Sequence, residues 1–123
     1  MFTEAELAYL RSEPRLARIA TVGPDGTPHV TPVGWSLAEA DTVIEVGGID
    51  LSATKKFRDV ARTGRAAIVI DDLASVRPWH VRGIEVRGLA DARTDPEPRI
   101  LIHPKRVISW GLDADRSARD IAG

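Results

Sequence analysis

The residues best suited to chemistry are cations at the start of a helical segment. In LSATKKFRDVARTGRAAIVIDD, which begins at Leu51, Lys55, Lys56 and Arg58 follow a capping hydroxyl, Ser52 or Thr54. The partial positive charge of a helix N-terminus disfavours lysine there. The placement therefore describes either a solvated face or a seat for an anion, with two ammonium groups, a hydroxyl and free main-chain N–H groups converging on a phosphate. Gly47 and Gly48 precede this segment, and as glycines they either let a flat or phosphorylated ligand approach the backbone or serve as plain turn residues. Three tryptophans, Trp35, Trp79 and Trp110, lie near strand ends or loops, where each reads as a stacking wall for a ring system or as core or interface filler.

Other chemistries find less support. His29, His80 and His103 lie far apart in sequence with no paired spacing, so no metal site is expected. The serines lack a nucleophile elbow, and Asp71-Asp72 reads as a loop signal closing an apolar strand. Gly23 and Gly26 join two strands and so belong to no dinucleotide fingerprint. The absence of cysteine excludes disulfides, thiolate ligands and thiol catalysis. Seventeen basic against eighteen acidic residues, net charge −1, argue against a general nucleic-acid or anionic-membrane binder. The first ten residues carry two acids and no long apolar run, so the expectation is a cytoplasmic protein with neither signal peptide nor membrane span.

The elements that must hold these residues can be read from periodicity. Thr3 and Glu6 have capping-box spacing, with Phe2 and Leu7 as a staple, predicting a helix from Glu4 to about Arg11 that ends before Pro14. RLARIATV alternates as a strand, GPDG is a turn, and residues 29–35 return as its hairpin partner. DTVIEVGG is a third strand. The one internal helix places Phe57, Val60 and Ala61 on a shared face and ends at Gly64. RAAIVID, RGIEVRGLADA and RILIHPKRVISWG give the fourth, fifth and sixth strands, the last interrupted by Pro104. Six antiparallel strands with little helix predict a mainly β fold, a closed barrel, over residues 1–112. Residues 113–123 read as a disordered tail or weak terminal helix.

In this order, RIATVGPDGTPHVTPVGW, TVIEVGG, TKKFRDVARTGRAAIVIDD, PWHVRGIEVRGLADA and RVISWG resemble the pyridoxamine-phosphate-oxidase-like family of flavin-binding split barrels. The wording KKFRDVARTGRAAIVIDDLASVRPW with GIEVRG resembles the actinobacterial branch that uses the deazaflavin coenzyme F420. The resemblance spans Phe2 to Leu112 and implies a six-stranded split barrel, a homodimer and a cofactor at the subunit interface.

It further implies that Lys56 binds the cofactor phosphate, with Lys55 beside it, Thr54 at the hydroxyl position and Arg58 extending the basic strip towards Arg62. Thr31, Pro32, Val33 and Gly34 would line the ring with main-chain groups, Val46, Gly47 and Gly48 would support ring and ribityl chain, and Trp35 would wall it. Trp79, Arg82 and Gly83 would reach the partner's cofactor, and Trp110 would pack near the ring. Gly83 stands where oxidases of the family carry a polar side chain, which implies open space, and DADRSARDIAG takes the place of the oxidases' substrate-reading C-terminal arginine motif. The expected activity is hydride transfer between F420 and a small organic substrate, with no catalytic side chain named. The alternatives are FMN in a flavin reductase or oxidase, and a non-catalytic binder of flavin, deazaflavin or heme with His29, His80 or His103 as axial ligand.

Overall fold

The computed structural model describes residues 1–113 and 116–122. Helix α1 spans Glu4–Ser12, with Thr3 and Glu6 forming the expected capping box, and α2 spans Lys55–Thr63. Eight strands accompany them: β1 Ala17–Val22, β2 Pro28–Val33, β3 Trp35–Ala38, β4 Val43–Val46, β5 Arg65–Ser75, β6 His80–Arg93, β7 Arg99–Trp110 and β8 Arg116–Asp120.

All neighbouring strands are antiparallel, in the order β2-β1-β5-β6-β7-β4-β3, with β8 also on β7. β2 and β3 stand at opposite ends of this order, yet only Gly34 separates them in sequence. The chain passing through Gly34 thus ties the two edges together and curls the sheet into a half-barrel of split-barrel type. Inside it, alternate residues of β5 and β6 meet: Ile68 pairs with Val86 and Ile70 with Ile84, all at most 1% exposed. Each such side chain contributes roughly 1.5–3 kcal/mol by leaving water.

The strand count exceeds the expected six for two local reasons. Residues 29–35 do not form one strand, because the chain changes sheet edge at Gly34 and Trp35 opens β3 instead. The expected tail carries β8, whose pairing with Arg106–Trp110 is fixed by a long-range clamp: Arg119 donates to both carboxylate oxygens of buried Glu6, at 2.6 and 2.9 Å. Pro104 does not interrupt β7. It sits at a register shift where Arg87 pairs with Arg106 and Gly88 with Pro104, a bulge that tolerates the missing N–H.

α2 forms where expected. Thr54 caps it by accepting from the Phe57 N–H at 3.3 Å, and Gly64 ends it at φ 68°, a left-handed conformation that favours glycine. Phe57 and Val60 are buried as read, but Ala61 is exposed, and the inward place goes to Asp59.

Candidate functional site

The cations of α2 are divided between the fold and solvent. Asp59 points inward and accepts from the Thr21 hydroxyl at 2.9 Å, tying the helix to β1. Its other oxygen takes Arg62 at 3.3 Å and Lys55 at 3.8 Å. Burial pushes the Asp59 carboxyl up, but Thr21, Arg62 and Lys55 more than offset this and hold it below the usual carboxylate range. Arg62 also donates to the Val22 carbonyl, and Arg58 folds back onto the Ala53 carbonyl at 2.8 Å. The Thr54 hydroxyl, besides capping, donates to the Leu51 carbonyl at 2.6 Å. Lys56 has no hydrogen bond or ion pair among the described residues and is half-buried. Of the predicted basic cluster, it alone keeps its charge uncommitted.

A second group gathers at the closure of the barrel. β3 pairs with β4 so that Trp35 lies opposite Val46, which brings Gly34 and Gly47 to the same end of that ladder. A Cβ built on either glycine would meet nothing within 4 Å, and on Gly48 only Leu51 at 3.8 Å. The backbone is therefore open to a flat ligand there. Thr31, Pro32 and Val33 lie on β2, which among the described residues pairs with β1 alone and leaves its other edge open to main-chain contacts; Pro32, lacking an N–H, suits an edge strand. The Trp35 indole turns towards the end of α1, donating to the Arg15 carbonyl at 2.7 Å, and borders a cleft of about 560 Å³ with Leu10, Pro14 and Leu37.

The third group sits on the β5–β6 hairpin. Trp79 is 67% exposed at its tip. Arg82 is clamped by Asp72 through two bonds of 2.8 and 3.0 Å, while Arg15 reaches the same carboxylate at 3.0 Å and the Tyr9 hydroxyl donates to it at 2.9 Å. The Arg15 guanidinium lies 4.0 Å from the Tyr9 ring centroid. Arg82 first, then Arg15 and Tyr9, hold the Asp72 carboxyl far below its usual range against the opposing effect of burial. Burial and the bond to Asp72 push the Tyr9 hydroxyl well up, so it remains a donor. Sequence reading missed Tyr9, Arg15 and Asp72, because residues so far apart carry no common motif; Asp72 belongs to β5 and not to a loop.

Gly83 departs from its expectation. It is buried, and a Cβ there would lie 2.8 Å from Trp110 Cζ2, 2.6 Å from the Asp71 Cβ and 2.9 Å from the Ile70 carbonyl. The cross-strand pairing of Gly83 with Trp110 explains this: the indole covers the glycine, and no open space remains. No hydrogen bond or ion pair links Trp79, Arg82 or Trp110 to residues 54–58 among the described residues. Of the histidines, His80 donates to the Gly111 carbonyl and His103 to Asp91, each at 3.1 Å. No helix of the described residues is long and apolar enough to cross a membrane.

Residues 3–109 match the family described as pyridoxamine 5'-phosphate oxidase. The chain is 38% identical to a 5a,11a-dehydrotetracycline/5a,11a-dehydrooxytetracycline reductase of Streptomyces rimosus subsp. rimosus, across 98% of this chain and 93% of that protein. Among solved structures it resembles the conserved hypothetical protein Rv2991 of Mycobacterium tuberculosis, with TM-score 0.72, 20% identity, and 100% and 94% of the two chains covered. It also resembles an F420 reductase, with TM-score 0.62, 21% identity, and 81% and 94% covered. These two likenesses concern the fold.

Proposed function

The chain belongs to the pyridoxamine 5'-phosphate oxidase family, and from that premise we propose that it is a homodimeric, cytoplasmic oxidoreductase that binds reduced F420 and delivers hydride to an unsaturated, conjugated small organic molecule. The observation that carries this reading is Lys56: a half-buried cation with no partner among the described residues, at the capped start of a helix that follows glycines which leave the backbone uncovered. The reductase from Streptomyces rimosus, similar over nearly the whole chain, supports the reaction class.

The deazaflavin ring would supply the hydride. The chain's own residues bind, orient and exclude water. Lys56 and the unpaired N–H groups of the first turn of α2 would take the phosphate, since a charge-assisted contact and the helix end act in the same direction. Gly34 and Gly47 would admit the ring against main chain, between Thr31–Val33 and Val46–Gly48. Lys55 and Arg58, held by Asp59 and the Ala53 carbonyl, would add to the local positive potential more than to direct contact. The hairpin bearing Trp79 and Arg82 would close the site from the partner subunit.

Fluorescence titration with F420 and with FMN, side by side, tests the reading. We expect tighter binding of F420, a loss of about tenfold or more in Lys56→Ala, the low end for a charge-assisted contact, and a smaller loss in Lys55→Ala. With 5a,11a-dehydrotetracycline as probe substrate, reduced F420 should be consumed. Unchanged affinity in a folded Lys56→Ala removes the anchor, tighter FMN binding moves the function to a flavin enzyme, and a monomer by light scattering at micromolar concentration removes the shared site.

A further inference from the structure

We propose that Asp72, braced by Tyr9 and Arg15, is a positioning residue: it holds the Arg82 guanidinium so that its free Nη1 edge meets an anionic oxygen of the cofactor bound by the partner subunit. This rests on the reading that the hairpin of β5 and β6 closes the partner's site, and deepens it by naming what aims the hairpin's cation.

The register of the hairpin sets Asp72 directly opposite Arg82, so both side chains leave the sheet on one face. The guanidinium meets the carboxylate through two of its three nitrogens, Nε at 2.8 Å and Nη2 at 3.0 Å. A two-point contact of this kind fixes the plane of the group as well as its distance, which a lysine ammonium could not do. Nη1 is left with no hydrogen bond or ion pair among the described residues, and the side chain is 30% exposed, so a ligand can reach it. Arg15 is the opposite case. Its side chain is 5% exposed and is spent inside the protein, Nε on Asp72 at 3.0 Å and Nη1 on the Tyr9 carbonyl at 2.8 Å.

Asp72 is itself held. The Tyr9 hydroxyl donates to it from α1 at 2.9 Å and Arg15 reaches it from the segment leading into β1, while the two guanidinium groups lie 4.0 and 5.2 Å from the centroid of the Tyr9 ring. The rest of the hairpin stands free at this point: Leu73 and Val81, the next cross-strand pair, are well exposed, as is Trp79 at the tip. The cluster therefore sets the direction of an arm that otherwise lies in solvent. A donor fixed before the ligand arrives avoids the ordering of a long side chain on binding, a factor of roughly 2–12 in affinity. A clamp that served only to tie α1 to the sheet would need Tyr9 and Arg15 on Asp72, but not a second, partly exposed guanidinium.

The test is a double-mutant cycle of Asp72→Asn and Arg82→Ala, read as affinity by fluorescence titration with whichever of F420 and FMN binds the parent, at a temperature where circular dichroism shows each variant folded. Arg82→Ala should weaken binding about fivefold or more, and Asp72→Asn about threefold or more. On the Arg82→Ala background Asp72→Asn should change affinity by less than about twofold, because a residue that acts through Arg82 has nothing left to act on. Arg82→Lys, which keeps the charge but not the two-point hold, should lose nearly as much as Arg82→Ala. If Asp72→Asn does not fold, Tyr9→Phe takes its place in the cycle: it keeps the ring, removes one donor to Asp72, and should weaken binding about twofold or more only while Arg82 is present. A merely structural cluster would lower melting temperatures and leave affinities unchanged. The proposal fails if the two single effects multiply in the double variant, if Asp72→Asn leaves affinity within twofold, or if Arg82→Lys binds as the parent does. It also fails if Arg82→Ala converts a dimer to a monomer by light scattering, because the cluster is then a subunit contact. A parent that binds neither ligand overturns the cofactor reading and this proposal with it, whereas a parent that binds, with a multiplicative cycle, overturns the positioning role alone.

Discussion

Replacing Gly83 by alanine adds a single methyl group at a place where the structure leaves no room for it. Three atoms lie under 3.0 Å from the new Cβ, one of them the Ile70 carbonyl and another the Asp71 Cβ, and both are fixed to the neighbouring strand β5. Only the Trp110 ring at 2.8 Å can swing aside. Overpacking of this kind costs about 1–3 kcal/mol, which in a chain of this length lowers the melting temperature by roughly 4–12 °C. Gly34→Ala is the control: nothing stands within 4 Å, so it should be neutral or stabilising by up to ~1 kcal/mol through the unfolded chain. Thermal melts by circular dichroism compare the two, and a cycle with Trp110→Ala measures the ring's share. Because the ring is one of three obstructions, the cost of Gly83→Ala on that background should fall by at least ~0.5 kcal/mol without vanishing. A Gly83→Ala protein as stable as its parent would refute the argument that the indole occupies this space.

Two further perturbations test the long-range clamps. Asp72→Asn leaves Arg15, only 5% exposed at its side chain, beside a neutral amide, so a loss of about 2 kcal/mol or more is expected at pH 7 by urea unfolding. The folded-state pKa of Asp72 lies below its ordinary value of 3.8, so its contribution is present above pH ~4 and fades as pH falls towards the depressed value; the variant should lose the corresponding slope at low pH. Arg119→Ala strands the buried carboxylate of Glu6, whose side chain is 1% exposed. A cost of about 3 kcal/mol is expected, and Glu6→Gln on that background should recover part of it; no loss in Arg119→Ala would mean that β8 is not held this way.

The fold was legible where its signals are local. The Thr3–Glu6 capping box, the GPDG turn, the Thr54 cap and the Gly64 stop are each written within a few residues, while alternation marked β1 and β6 and an apolar run marked β5. What escaped is set by contacts across the chain. Nothing in PHVTPVGWSLA says that Gly34 is where the chain leaves one sheet edge for the other, and RSARD looks solvated until Arg119 meets Glu6 at the far end of the sequence. At the candidate site the cations were visible but their partners were not. Asp59 reads as one more charge in KKFRDVAR, and only the packing of α2 on β1 turns it inward to take Thr21, Lys55 and Arg62.

That distribution returns to the cost of placing lysine at a helix start. For Lys55 the buried Asp59 carboxylate offsets the unfavourable end charge, but Lys56, at the second position of α2, has no such compensation. A cation within the first turn is disfavoured by about 0.3–1 kcal/mol, and an acid there is favoured by a similar amount. Lys56→Glu should therefore stabilise the free protein by about 0.6–2 kcal/mol, a rise of roughly 2–8 °C in melting temperature, with Lys56→Gln falling between, since its shorter polar stem removes the charge without reversing it. The same substitutions should abolish or weaken F420 binding in the order Glu before Gln. Stability and affinity then move in opposite directions, as expected where a fold retains an unfavourable charge for a ligand. If Lys56→Glu instead melts lower than the parent, Lys56 is serving the helix, and the case for an anion seat at this position is lost.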